Sequence, residues 1–190
     1  MRIFGVMFLS LLLSACSTPT ARPPVALYPI TDVASSSVGN QQAVTVSVVD
    51  ARNLNSYSTA NVSNSQNIST IMATQISDGL KKQGFNATTT SLSTDSSSKP
   101  KQINIKLLTM DYRALSGYVS SNTETFVSAE VSATNAAGST YTKTYNANAY
   151  NDSYVNVSAQ TPSAQVNQAF DKLLNNILND SSLIQFLAKP

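Results

Sequence analysis

Cys16 is the only cysteine in this chain of 190 residues, and that fact most constrains what the chain can fold into. No intramolecular disulfide can form, even in an oxidising compartment. The chain also lacks histidine and tryptophan. The lack of histidine excludes Ser-His-Asp catalysis and metal sites that use His ligands. We therefore expect a domain stabilised by its hydrophobic core alone, with no metal and no cofactor.

The position of Cys16 is as informative as the fact that it is the only cysteine. An apolar run from Ile3 to Leu13 follows Arg2 and ends in small residues. A basic start, a short apolar run and small residues before a cleavage site are typical of a secretory signal peptide. The run is shorter than the roughly 20 residues needed to span a bilayer. The closing tetrapeptide, Leu13-Ser14-Ala15-Cys16, resembles the lipobox of bacterial lipoproteins, Leu-(Ser/Ala)-(Ala/Gly)-Cys.

The lipobox resemblance implies a defined modification. In bacterial lipoproteins the cysteine thiol receives a diacylglyceryl group, the signal is cut before that cysteine, and the new amine is acylated with a fatty acid such as palmitate. Cleavage here would fall between Ala15 and Cys16. In enterobacterial sorting, Ser after the lipidated cysteine permits export to the outer membrane, and Ser17 fits that rule. The alternatives are an ordinary signal peptide with a chance cysteine, or a buried free thiol.

Composition divides the chain into three parts. Residues 1–15 are the signal peptide, residues 16–42 are the lipidated Cys and a flexible Pro/Ser-rich tether, and residues 43–190 form a single α+β domain. The tether prediction rests on scattered prolines and a serine run without a hydrophobic period. One apolar island, Val25 to Tyr28, leaves open a second possibility, in which it docks on the domain or on a partner.

The charge of the mature protein is nearly balanced. Lys and Arg number 12 against 10 Asp and Glu, and removal of Arg2 with the signal leaves 11 against 10. Such a balance provides no electrostatic surface for nucleic acid and no polybasic cluster for anionic lipid. We therefore expect contact with the membrane through the lipid anchor, and no nucleic-acid partner.

Hydrophobic periodicity predicts eight elements. Alternation predicts strands over 43–50, 86–93, 102–113, 124–134 and 139–150, with a bulge at Leu107/Leu108 and a tight turn over 135–138. Helical spacing from Ile68 to Leu80 ends at Gly84, where a Schellman cap would place Phe85 against Leu80. A second helix begins at Thr161-Pro162, and a short third helix begins near Asp180.

This order predicts the architecture. Strands and helices follow as β-α-β-β-β-β-α-α, without repeats or strict βα alternation. The arrangement that buries both helical stripes is an α+β two-layer sandwich, with a mostly antiparallel sheet and the two main helices on one face.

In its motifs and in the order of its predicted elements, the chain resembles the YajG family of bacterial lipoproteins. The resemblance lies in the lipobox, the Pro-rich tether, the Val-rich first strand and two segments, Lys81-Lys82-Gln83-Gly84-Phe85 and the ending Leu-Asn-Asp-Ser-Ser-Leu-Ile-Gln-Phe-Leu at residues 178–187. It implies an outer-membrane lipoprotein whose domain faces the periplasm. It implies no catalytic residues, and it gives a role to Cys16 alone.

The carboxylates are the only candidates for acid–base chemistry. Asp111 lies two residues before Arg113 at a predicted strand end, where a solvated ion pair is the commoner arrangement. Glu124 and Glu130 share one strand face, which we interpret as a solvent face. We therefore expect no catalytic residues and no enzyme.

The tyrosines are better candidates for binding. Tyrosine is common at interfaces because it buries a large area at a small cost in entropy. Tyr141 and Tyr145 share one face, where we favour packing beneath the helices with the hydroxyls at the rim. Tyr150 and Tyr154 are possible partner contacts, as is an exposed sheet edge.

Two functional classes remain open. The first is a non-enzymatic structural or binding component of an envelope complex for transport, secretion or outer-membrane biogenesis, with envelope proteins as partners. The second is a periplasmic carrier or sensor of a small apolar or lipid ligand. A large internal cavity would favour the carrier, and a filled core with an exposed apolar strand edge would favour the binding component.

Overall fold

Eight elements make up the fold, in the predicted order. The computed structural model describes residues 25–53, 67–90, 101–116, 120–154 and 162–189, so the predicted signal peptide and Cys16 lie outside it. The elements are β1 (Ala43–Asp50), α1 (Ile68–Lys82), β2 (Asn86–Thr89), β3 (Lys101–Ser116), β4 (Ser120–Thr134), β5 (Thr140–Tyr154), α2 (Pro162–Leu178) and α3 (Ser181–Ala188).

The five strands form one mixed sheet in the order β2-β1-β3-β4-β5. β1 pairs in parallel with β2 and with β3 over short ladders. The long β3–β4 and β4–β5 ladders are antiparallel and contain most of the paired residues. The predicted α+β sandwich is therefore confirmed, with a sheet that is mixed and has β5 at one edge.

Both main helices pack on the same face of this sheet. In α1, the Ser77 hydroxyl donates to the carbonyl of Ala87 on β2, at 3.1 Å. In α2, the Gln165 amide donates to the carbonyl of Ala149 on β5, at 3.0 Å. Between the helices and the sheet lie fully buried side chains, among them Met72, Ile76, Leu80, Ile103, Ile105, Leu107, Met110, Phe170, Leu173, Leu174 and Ile177.

Hydrogen bonds cap both ends of α1. The Asn67 side chain accepts from the amide of Thr70, which begins α1. At the other end, the amide of Phe85 donates to the carbonyl of Leu80 at 3.1 Å, and Gly84 has a φ of 86°. These are the bond and the left-handed residue of a Schellman cap, so this prediction is confirmed.

The strand irregularities are also where the sequence places them. The β3–β4 register shifts between Leu107 and Thr109, which confirms the predicted bulge. Gly138 has a φ of 78°, and its amide donates to the carbonyl of Asn135 at 3.0 Å. The turn over 135–138 therefore joins β4 to β5 as a hairpin.

The predicted boundary between tether and domain at Ala43 needs correction. Val25, Leu27 and Val33 are buried in the core, so the island at Val25 docks on the domain. Further on, the amides of Ser36 and Gly39 donate to the carbonyls of Lys82 and Gln83 at the end of α1. Residues 25–42 thus belong to the folded unit, because burial of three apolar side chains stabilises the segment against its loss of entropy.

Residues 25–33, here called the strap, lie along α2. The amides of Tyr28, Ile30 and Asp32 donate to Oδ1 of Asn167, Asp171 and Asn175, at 2.7, 2.8 and 2.8 Å. Four residues of α-helix rise about 6 Å, and two residues of extended chain advance about 6.6 Å. Because these spacings nearly match, every second strap amide meets a polar side chain one helical turn further on.

The strap also reaches α1. The Thr31 hydroxyl lies 3.4 Å from Oε1 of Gln75 on that helix. The strap therefore runs between the two main helices on their outer side, in the same direction as α2. No helix within the described ranges is both long enough and apolar enough to cross a membrane.

Candidate interaction surface

The sheet face opposite the helices is open to solvent. Strand geometry turns alternate side chains to opposite faces, so Ala147 and Ala149 on β5 are buried while Asn146, Asn148 and Tyr150 point outward. Most side chains on the open face are polar, as expected of an antiparallel sheet with one solvated face. Large apolar side chains on this face are therefore informative.

Two aromatic residues stand out on the open face. Phe126 is 39% exposed and Tyr150 is 55% exposed. Phe126 lies opposite Asn148, and Glu124 lies opposite Tyr150, so the two aromatic residues are diagonal neighbours on adjacent strands. Diagonal positions are close enough for aromatic side chains to form one surface.

Charged residues surround the two aromatic side chains. Arg113 lies opposite Glu124, and Asp111 lies opposite Phe126. Asp111, Arg113, Glu124 and Phe126 line a shallow depression of about 170 Å³. We call these four residues together with Tyr150 the aromatic patch. An exposed apolar area with charged side chains around it is the composition typical of a protein-binding surface.

The sequence predictions for this region have mixed outcomes. Tyr150 is exposed, as a partner contact requires, whereas the side chain of Tyr154, like Ala15 and Cys16, lies outside what the structure describes. Phe126 was missed. The sequence does indicate its position. Val127 and Ala129 are predicted to point inward, and neighbouring residues of a strand point to opposite faces, so Phe126 must point away from the helices.

The predictions for the carboxylates differ in outcome. Glu130 is on the solvent face, and it binds Lys106 at 2.9 Å. The predicted pairing of Asp111 with Arg113 is not found among the ion pairs of the described residues. In the patch these two side chains instead lie on one face beside Phe126, where they are accessible to a partner.

The edge of the sheet at β5 is partly covered. Lys172 on α2 donates to the carbonyl of Asn148 at 3.0 Å, and Asn176 donates to the carbonyl of Asn146 at 3.2 Å. These backbone groups would otherwise invite pairing with another strand. The covered stretch disfavours the sheet edge as a binding site and leaves the open face as the stronger candidate.

Tyr141 and Tyr145 have the structural role that the sequence analysis favours. Their hydroxyls donate to one carboxylate oxygen of Asp180, Oδ2, at 3.1 and 2.7 Å. Lys143 binds the same oxygen at 2.6 Å. The other oxygen accepts from the amide of Ser182 at 2.8 Å and caps α3. Asp180 therefore joins the start of α3 to β5.

The protonation equilibria of this cluster follow from its contacts. Burial acts to raise the pKa of Asp180, but hydrogen bonds from Lys143, Tyr145 and the backbone outweigh it and hold that pKa well below the ordinary value. Burial and the neighbouring Tyr141 and Asp180 raise the pKa of Tyr145 far above its usual value. The carboxylate stays ionised and the phenol neutral, as a fixed structural hydrogen bond requires.

Two depressions lined by described residues bear on a carrier role. Besides the patch, an open groove of about 520 Å³ lies beside the Asp180 cluster, and its lining is mainly polar: Lys143, Thr144, Tyr145, Asn146, Asn176, Asn179, Asp180 and Ser181. A site for an apolar ligand would instead be enclosed and lined mostly by apolar side chains. Neither depression has those properties.

Comparisons with known proteins identify a family and several distant structures. A family model described as an uncharacterised lipoprotein matches residues 29–188. Comparison with curated proteins gives no match. The fold is similar to that of a DUF330-family protein from Xanthomonas campestris, with 10% identity, a TM-score of 0.47, and coverage of 85% of this chain and 95% of the other.

Two further structures are similarly distant. A minor lipoprotein from Acinetobacter baumannii has 11% identity and a TM-score of 0.39, covering 78% of this chain and 94% of the other. A hypothetical protein from Chlamydia trachomatis has 9% identity and a TM-score of 0.43, covering 78% and 98%. Likenesses of this degree assign no activity to the chain.

Proposed function

The chain belongs to the family of uncharacterised lipoproteins that it resembles in sequence, the YajG family, and from that membership we propose a non-enzymatic envelope protein that binds a partner protein through the aromatic patch. Lipid on Cys16 anchors it in the outer membrane, with the domain in the periplasm. The partner belongs to an assembly for transport, secretion or outer-membrane biogenesis.

The anchor is supported by two independent features. The family consists of lipoproteins, and its model covers the chain from residue 29 to residue 188. The lipobox ending at Cys16 precedes that match and supplies the residue to be acylated. Several acyl chains on one cysteine hold a protein firmly to a membrane, whereas a single chain gives marginal attachment.

The observation that carries the binding proposal is the exposure of Phe126 and Tyr150. An exposed aromatic side chain on a polar sheet face contributes nothing to the core and leaves apolar area in water. Binding would remove that area, and aromatic residues are common among those that dominate binding energy. Arg113, Glu124 and Asp111 around them would provide orientation and specificity.

The test is co-purification from envelopes. The full-length lipidated protein, with an affinity tag at its C terminus, is crosslinked in cells and recovered with its partners. Replacement of both Phe126 and Tyr150 by Ala should reduce recovery of the partner at least about tenfold, the equivalent of 1.4 kcal/mol.

A matched control lies on the same face. Ser132 and Thr142 lie opposite each other on β4 and β5, with their hydroxyls 3.2 Å apart. Replacement of both by Ala should leave partner recovery unchanged. Equal recovery with the Phe126/Tyr150 double variant and with the native protein would refute binding through the patch, and a bound lipid without any protein partner would favour the carrier.

A further inference from the structure

We propose that the aromatic patch lies at the end of the domain nearest the membrane that holds the anchor, and that its partner is a protein embedded in that membrane, which presents a cationic side chain beside an apolar one. This inference rests on the proposed anchor at Cys16. It goes further by assigning an orientation to the domain and a location to the partner.

The first step is where the chain enters the fold. Val25 is 1% exposed, and the side-chain amide of Asn167 donates to the carbonyl of Ala26 at 2.9 Å. Asn167 lies in the second turn of α2. The folded part of the chain therefore begins beside the N-terminal end of α2, and the segment leading to Cys16 starts there.

The second step is that this end of α2 lies at the patch end of the sheet. The side-chain amide of Gln165 donates to the carbonyl of Thr123 at 2.6 Å and to that of Ala149 at 3.0 Å. Thr123 and Ala149 directly precede Glu124 and Tyr150 in the chain. The patch and the entry point are thus at the same end of the domain.

The third step is a length. Eight residues, 17–24, separate Cys16 from Val25. At no more than about 3.6 Å per residue, the distance from Cys16 to Val25 cannot exceed roughly 30 Å. If the chain were free as far as Ala43, the same length per residue would allow roughly 95 Å between Cys16 and Ala43. Docking of the strap therefore keeps the patch end near the bilayer.

The opposite end of the domain is much farther from the anchor. β5 contains 15 residues, and at about 3.3 Å per residue its length is roughly 50 Å. Thr142 lies near the start of β5, eight residues before Tyr150, so the two residues are about 26 Å apart along the strand. A partner that meets Tyr150 is at the membrane, and a partner that meets Thr142 is deeper in the periplasm.

The charges of the patch decide between a lipid surface and a protein. Asp111 and Glu124 supply two carboxylates against the one guanidinium of Arg113. Anionic headgroups attract clusters of Lys and Arg, and this patch offers a net negative charge instead. A cationic side chain next to an apolar one complements both the carboxylates and the aromatic residues.

The experiment is photo-crosslinking at two positions on one strand face. A benzophenone amino acid replaces either Tyr150 or Thr142 in the full-length lipidated protein, and fatty-acid labelling of Cys16 is measured in the same cells. Position 150 should yield an adduct with an integral membrane protein, and position 142 should yield less than a tenth as much. A soluble partner at position 150, or no adduct there, overturns the proposal.

A longer tether provides the second arm. Insertion of 20 Gly/Ser residues after Ala21 lengthens the linker from 8 to 28 residues, which lowers the effective concentration of the patch near the bilayer roughly sixfold. The adduct at position 150 should fall by a similar factor while labelling of Cys16 is unchanged. An unchanged adduct overturns the membrane-proximal orientation but leaves binding through the patch intact.

A third arm tests the chemistry of the partner. Glu124→Arg should reduce the adduct at position 150 by tenfold or more, whereas Thr144→Arg on the same face should not. The protein spanning residues 17–190, which has neither the signal peptide nor the acylated cysteine, should not bind vesicles of phosphatidylethanolamine and phosphatidylglycerol. Vesicle binding that depends on Phe126 would mean that the patch binds the lipid surface and not a protein. Absence of fatty-acid labelling of Cys16 in the full-length protein would refute the anchor itself.

Discussion

The backbone amide of Tyr28 donates a hydrogen bond of 2.7 Å to Oδ1 of Asn167, which lies 139 positions further along the chain. This bond and the two that follow it along α2 attach the strap to the domain, although the composition of the strap is that of a linker. The consequence is a short connection between Cys16 and the fold. The proposed orientation of the domain at the membrane therefore depends on the strap.

Replacement of Leu27 by Ala tests whether the strap is docked in solution. Leu27 is 2% exposed, and truncation of a buried leucine costs roughly 2–5 kcal/mol. The measurement is urea unfolding of the soluble protein spanning residues 17–190. Ile30→Ala is the matched control, because Ile30 is 72% exposed in the same segment and its loss should change stability by under about 0.5 kcal/mol. If Leu27→Ala unfolds like the native protein, the strap is detached.

Asp180 should give the fold a specific dependence on acid pH. Its pKa is depressed in the folded protein, so its contribution to stability is present above the unfolded pKa of about 4 and is lost as pH falls below it. Asp180→Asn keeps an oxygen that caps α3 but removes the charge, and it should cost roughly 1.5–3 kcal/mol at pH 7. The free energy of unfolding, measured from pH 7 to pH 3, should fall less in the variant than in the native protein. Parallel curves would show that the charge contributes nothing.

Thr125 should be replaceable by valine without loss. Its side chain is fully buried, and its hydroxyl oxygen has no hydrogen-bond partner in the described part of the chain. Valine has nearly the same shape, and removal of an unsatisfied buried hydroxyl is neutral or stabilising by up to about 1 kcal/mol. Thermal unfolding provides the measurement, with the exposed Thr142→Val as control. Destabilisation by more than about 1 kcal/mol would mean that the hydroxyl has a partner.

The elements were predictable from the sequence because each has a local signal. Apolar spacing located α1 and α2, and Gly84 and Asp180 marked helix ends through backbone conformation and capping. The bulge near Leu107 followed from a change of phase in the buried set. These signals depend on neighbours within a few residues, which a sequence displays directly.

The docked strap was not predictable in the same way. Val25 and Leu27 form too short an apolar pattern to indicate a partner, and Pro29 follows them. Asn167 and Asn175 lie on the polar side of an amphipathic helix, where polar residues are expected in any case. The docking depends on the match between the rise of four residues in α2 and the length of two residues in the extended strap. That match becomes visible only when the two segments lie side by side in the fold.

Cys16→Ala tests the anchor. Without the thiol, fatty-acid labelling should disappear, and an uncleaved or mislocalised precursor should accumulate. The measurement is metabolic labelling with palmitate, followed by separation of inner and outer membranes. Ser17→Asp is the companion variant, since it keeps the acylated cysteine and should move the protein to the inner membrane. Labelling that persists in Cys16→Ala would contradict the lipoprotein assignment of this residue.

The most direct test of partner binding is a measured affinity. Titration calorimetry compares the soluble protein spanning residues 17–190 with its Phe126→Ala/Tyr150→Ala variant, each against the purified partner recovered by crosslinking. Loss of two exposed aromatic contacts at the centre of an interface should raise the Kd at least about tenfold, with the free energy of unfolding unchanged within about 0.5 kcal/mol. The same Kd for both proteins would contradict binding through the aromatic patch.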